Sequence, residues 1–217
     1  MNLTNNRGAC QFNSVQLPGR PMHATLPLLT MDNTFISKYI TCTYADVLPV
    51  AAWGETSFFY NPNRELPRGV YFATLKGNDG KNDRASKLER PAVFRLNIGI
   101  SKPTYRALFG EQPSRPAAGG VIDTGHDFTV LDCLLPHPVY GWMSWVCVLN
   151  PTFATFQNIQ PLLTEAHDLA ISKFDKRLKG LSRNTSLKPR PLRSEPGSGE
   201  RQTLVSNIHS PREETHD

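Results

Sequence analysis

Six residues whose side chains bind metals or carry protons, Asp123, His126, Asp127, Asp132, Cys133 and His137, fall within fifteen positions of one another. Their spacing gives no H-x-x-x-H or H-E-x-x-H on a helix face, so no ready-made metal site is indicated. The same acids are equally suited to capping turns, and neither a metal nor a cofactor is expected. His137 stands apart from the group. Pro136 and Pro138 restrict the backbone on both sides of it, which aims the imidazole in a set direction. Such a ring serves either as an acid or base facing a ligand or as a hydrogen-bonded structural corner.

Large aromatics follow His137 directly, in H-P-V-Y-G-W-M-S-W-V-C-V-L-N-P, residues 137–151. In extended structure Trp145, Cys147 and Leu149 share one face, and Val146 and Val148 the other. A second strand candidate, residues 92–100, alternates in the same way. Phe94, Leu96, Ile98 and Ile100 lie on one side, and Val93, Arg95, Asn97 and Gly99 on the more polar one. Arg95, Asn97, His137, Tyr140, Trp142 and Trp145 are therefore the candidate ligand-binding residues: a cation, an amide and an imidazole between aromatic walls. The competing reading pairs Arg95 with an acidic neighbour and uses the tryptophans to complete a core. Nucleophilic catalysis has no G-x-S-x-G elbow to start from, and neither a P-loop nor a G-x-G-x-x-G fingerprint is present. The four cysteines form no C-x-x-C pair and read as buried thiols.

The elements that must position these residues begin at Asp32. Phe35, Ile36, Tyr39 and Ile40 give a helical stripe over 33–41. Strands are predicted at 57–60, 70–75 and 92–100, the first ending at Asn61-Pro62-Asn63 and the second at Gly77-Asn78-Asp79-Gly80. A short helix over 103–109 is capped near Ser101 or Lys102 and stopped by Gly110. Residues 112–120 form a Pro/Gly/Ala-rich loop, and 128–135 are either a short helix or irregular. A fourth strand, 144–149, precedes a long helix over 155–178. There Phe156, Ile159, Leu163, Ala166, Ala170 and Phe174 recur every three or four residues, and Glu165, His167 and Asp168 fall on the solvated flank. The expected fold is α+β: a mainly antiparallel sheet of about four strands, in the order α-β-β-β-α-β-α, with helices packed on one face.

Composition frames this domain. Residues 32–178 carry 15 Lys and Arg against 14 Asp and Glu, so the net charge of +5 sits mostly in the flanks. A near-neutral core gives no electrostatic warrant for a nucleic-acid surface. No apolar run reaches the ~20 residues a membrane span needs, and no secretory signal is evident. The chain reads as soluble and cytoplasmic, with a single domain over 32–178 between disordered segments at 1–31 and 179–217. The tail holds a K-P-R-P-L-R stretch, and Met31 reads as the start of the folded part.

The strings F-R-L-N-I-G and H-P-V-Y-x-W-x-x-W-V-C-V-L-N-P, with D-F-T-V-L-D at 127–132, resemble a family of small uncharacterised bacterial and fungal domains of unknown function. The likeness spans about residues 32–178. A looser similarity is to the MmcQ/YjbR-like fold, which implies a double-wing, DNA-binding analogy. Three functional expectations follow. The first is reversible binding of a small molecule or protein partner through an open sheet face. The second is an accessory hydrolase or isomerase of metabolism with His137 as acid or base and Arg95 as an anion clamp. The third is nucleic-acid binding by analogy of fold.

Overall fold

The computed structural model describes residues 31–185; the two terminal segments, including the K-P-R-P-L-R stretch and Cys10, lie outside the described residues. The chain enters at Met31, which is buried and whose N–H donates to the Pro151 carbonyl. Helix α1, Asn33–Thr43, starts where the Asp32 carboxylate accepts from the Phe35 N–H, a side-chain N-cap that satisfies one of the donors a helix leaves open. It buries Ile36 and Ile40. Cys42, at its end, is exposed, which corrects the expectation of a buried thiol there.

Six strands follow, two more than the alternation predicts: β1 (Val47–Ala52), β2 (Glu55–Tyr60), β3 (Val70–Lys76), β4 (Arg95–Gly99), β5 (Leu135–Pro136) and β6 (Trp145–Leu149). They form one antiparallel sheet in the order β1-β2-β3-β4-β6-β5. Trp53 and Gly54, both at positive φ, make the two-residue turn joining β1 to β2. Helix α2, Lys102–Phe109, is capped by the Ser101 hydroxyl, which accepts from the Thr104 N–H. The 128–135 stretch is neither a helix nor wholly irregular: it makes a parallel bridge from Leu131 to Leu149 and then becomes β5.

Helix α3, Phe153–Thr185, runs past Leu178 and through Gly180, so residues 179–185 are helical. Its Phe156, Ile159, Leu163, Ala166, Ala170 and Phe174 are all buried, at the three- and four-residue spacing that predicts the helix. They join Ile36 and Ile40 of α1, Tyr105 of α2, and Phe58, Phe72, Leu96, Ile98, Val146 and Val148 of the sheet in one core. His167 is a correction: it lies at the sheet side of α3, buried, with ring centroids 4.9 Å from Tyr44, 5.3 Å from Tyr60 and 5.4 Å from Phe72. Glu165 of the same helix is partly buried and accepts from the Ser101 N–H and the Thr104 hydroxyl, tying α3 to the start of α2.

On the other face, no α-helix among the described residues contributes to the lining. A β-bulge shapes it. Phe58 pairs with Ala73 and Phe59 with Tyr71, so Phe72 is the extra residue of β3. Phe72 and Ala73 both turn into the core, and Tyr71 and Thr74 both reach the open face.

Candidate functional site

The open face is a cavity of about 990 Å³, walled by β1 to β4, the 77–90 connection, His137 and the start of β6. Strand register sorts its floor into three rows. Glu55, Lys76 and Arg95 stand directly opposite one another on β2, β3 and β4. Two residues further along come Ser57, Thr74, Asn97 and Cys147, again in register. Beyond the bulge lie Phe59 and Tyr71, with Trp145 reaching across from β6. Two residues of extended chain span about 6.7 Å, so the charged and aromatic rows are about 13 Å apart.

The aromatic row depends on a residue with no side chain. Trp145 pairs with Gly99 on β4, and its indole lies over that glycine to stack on Tyr71, at 5.4 Å between centroids and 30° between planes. A Cβ on Gly99 would meet the indole Cζ2 at 3.0 Å. Phe59 continues the row, 5.7 Å from Tyr71.

Arg95 anchors the charged row and is fully buried. Four of its five N–H groups meet oxygen acceptors: Nε donates to Asn97 Oδ1 at 2.8 Å, and NH1 donates to Asp83 Oδ1 at 3.1 Å and Ser86 Oγ at 2.8 Å. NH2 donates to Asp83 Oδ2 and approaches His137 Nε2 at 3.2 Å. The pair is thus the two-pronged guanidinium–carboxylate arrangement, and it fastens the 77–90 connection to the sheet. Lys76 Nζ adds a contact to Asp83 at 3.1 Å and a longer one to Glu55 at 3.8 Å. Burial alone would raise the Asp83 pKa, but the Arg95 hydrogen bonds and charge hold it well below the usual carboxylate range. Burial likewise works against the Arg95 charge, and the Asp83 hydrogen bonds restore it and raise its pKa. Asn97 passes the network on, its Nδ2 donating to Thr74 Oγ1 at 2.8 Å.

His137 sits at the end of β5, where its N–H extends the ladder to the Trp145 carbonyl. It is 2% exposed. Nδ1 accepts from the Val139 and Tyr140 N–H groups, each at 3.1 Å, which caps the turn leading into the short 3-10 segment 141–143. Burial, and then the Arg95 charge, push its pKa well below 6.5, so the ring is neutral at physiological pH. With Nδ1 accepting two backbone N–H groups, the neutral ring carries its one proton on Nε2, and a second proton at Nδ1 would have no acceptor. Tyr140 stands 5.0 Å from the imidazole and is half exposed in the cavity wall.

Arg95, Asn97, His137, Tyr140 and Trp145 therefore meet at one cavity. Trp142 does not: its ring is covered by the Arg115 guanidinium at 5.0 Å and is no part of the lining. The acidic cluster disperses as well. Asp127 accepts from the Thr129 N–H and hydroxyl, and Asp132 accepts from the Thr152 N–H at the start of α3. Among the described residues no group of three or more His, Cys, Asp or Glu is placed to hold a metal. Cys147 lies beneath the network with its thiol pushed up to about 12 by burial, which removes it as a nucleophile.

Sequence reasoning missed Asp83, Ser86, Lys76, Thr74 and Tyr71. The alternation of 70–76 was a usable signal for Thr74 and Lys76; Asp83 and Ser86 lie in a connection without periodicity. No helix among the described residues is long and apolar enough to cross a membrane. Residues 31–179 match the model of a family described as a family of unknown function, DUF6194. No curated protein and no solved structure matches, so the looser likeness to the MmcQ/YjbR-like fold gains no support from these comparisons.

Proposed function

We propose that this chain, which belongs to the DUF6194 family of unknown function, reversibly binds an elongated small molecule on the open face of its sheet. The observation that carries this reading is the banded cavity, in which a charged, a hydroxyl–amide and an aromatic row lie in order along about 13 Å. Its size suits a small ligand. Arg95, Asn97 and His137 act by fixing the floor rather than by reaching out, since their polar atoms are already engaged with one another and with Asp83. Tyr71, Tyr140 and Trp145 are among the groups left to meet the ligand.

An accessory hydrolase or isomerase has less behind it. An imidazole held neutral is a poor acid, and Cys147, beneath the network, has a thiol pKa near 12. Nucleic-acid binding gains nothing from a core of near-zero net charge.

Thermal unfolding of the full chain with a panel of small molecules tests the reading, using Ser57→Phe to fill the middle row. A true ligand at ten times its Kd raises the wild-type midpoint by about 3–5 °C. The shift disappears in Ser57→Phe. Ligands that shift both proteins equally would place binding elsewhere and end the proposal.

A further inference from the structure

Taking that cavity reading as its basis, we infer that the ligand is an anionic planar molecule, its ring extending the Phe59–Tyr71–Trp145 row and its charge facing Arg64 and Arg68. The charges lining the cavity decide the sign. Lys76 and Arg95 are matched by Asp83 and Glu55, all four at one end of the face. Arg64, Arg68 and Lys81 also line the cavity, and none of them has an ion-pair partner among the described residues. The uncompensated lining is therefore positive.

Topology places two of those three cations beside the rings. Residues 61–69 leave β2 after Tyr60 and enter β3 at Val70, and Tyr60 pairs with Val70 next to the Phe59–Tyr71 pair. The connection carrying Arg64 and Arg68 thus emerges at the aromatic end. It is held there by the buried Asn61 side chain, whose Nδ2 donates to the Leu66 carbonyl at 2.8 Å and whose Oδ1 accepts from the Leu66 N–H at 3.1 Å. Asn63 and Arg64 take consecutive positive φ values of 50° and 54°, a conformation that side chains adopt at a cost and that this clamp maintains.

Aromatic faces alone would also attract a cation. Among the described residues no carboxylate lines the cavity at this end, however: Glu65 is in the connection but outside the lining, and Glu55 and Asp83 are two rows away. A cationic ring would meet two guanidinium groups and no counter-charge. An anionic one stacks on half-exposed Tyr71 and completes the local charge.

The test compares two dyes with the same ring system: 8-anilinonaphthalene-1-sulfonate, which is anionic, and N-phenyl-1-naphthylamine, which is neutral. Titrations of the full chain follow dye fluorescence and quenching of the tryptophans, with thermal unfolding confirming that each variant is folded. The anionic dye should bind at one site, at least about threefold more tightly than the neutral one, since each exposed ion pair contributes a factor of roughly two to five. Arg64→Gln/Arg68→Gln should weaken the anionic dye by about fivefold or more and leave the neutral dye unchanged. Equal affinity for both dyes, or an anionic dye indifferent to the double substitution, overturns the charge assignment while leaving the cavity reading standing. Failure of both dyes to bind, or undiminished binding of both to Ser57→Phe, overturns the cavity reading and this inference together.

Discussion

Replacing Asp83 by Asn keeps the shape of the side chain and removes its charge, and the structure sets what that should cost. Arg95 is 0% exposed, and two of its five N–H groups donate to the Asp83 carboxylate. Asparagine retains one acceptor and turns an NH2 group toward a guanidinium, so one Arg95 donor and the whole guanidinium charge lose their partner without access to water. Breaking a buried pair from one side costs about 3–5 kcal/mol. Domain stabilities lie near 5–15 kcal/mol, so Asp83→Asn should remove about a fifth or more of the total. Urea unfolding at pH 7 followed by tryptophan fluorescence reads this directly. Acid titration supplies an independent check. The folded-state pKa of Asp83 lies below its ordinary value of 3.8, so its contribution is complete above that value and is lost as pH falls beneath it. The wild type should therefore lose stability by about 1.4 kcal/mol per pH unit more steeply than Asp83→Asn between about pH 3.5 and pH 2.5. A loss below about 1 kcal/mol at neutral pH, or identical acid limbs, would refute the idea that this pair fastens the 77–90 connection to the sheet.

Two further outcomes follow from the same geometry. His137 and His167 both have folded-state pKa values lowered by burial, His137 further by Arg95, so the unfolded chain binds more protons below pH 6.5. Stability should be flat above that pH and fall beneath it, each ring contributing up to about 1.4 kcal/mol per pH unit. His137→Gln and His167→Gln should each remove one share of the slope in urea midpoints, and an unchanged slope would mean that the ring is charged in the folded protein. Gly99→Val puts carbon where the Trp145 indole lies and should cost about 1–3 kcal/mol. It should also weaken the aromatic near-ultraviolet dichroism; an unaltered spectrum would show that the Trp145–Tyr71 stack does not depend on that glycine.

Where burial follows a regular period, the sequence was readable. Phe156 through Phe174 mark α3, and Leu96, Ile98, Val146 and Val148 mark the covered face of the sheet, because each element has one apolar side to hide. β1 escaped because V-L-P-V-A-A mixes a proline with small residues, a pattern that only an edge strand tolerates. β5 is two residues long and has no period to detect. His167 carried a signal that its polarity concealed: it falls four residues after Leu163 and three before Ala170, on the buried side. In the site, Arg95 and Asn97 were visible as the polar half of an alternating strand. Their partner Asp83 was not, since it is supplied by a connection whose path depends on the very ion pair it forms. Trp142 shows the opposite failure: three positions separate it from Trp145, yet the short 3-10 turn between them sends the two rings to different surroundings.

The bulge in β3 means that the open face is written in two reading frames. Up to Tyr71 the odd-numbered position faces outward, and from Thr74 onward the even-numbered ones do, so the aromatic row and the polar rows coexist only because Phe72 is supernumerary. Deleting one residue here would not merely shorten the strand. It would force a choice, sending either Tyr71 or the Thr74–Lys76 pair into the apolar layer. A homologue lacking that residue should therefore have exchanged the character of one half of β3, polar for apolar, and with it the chemistry of what it holds.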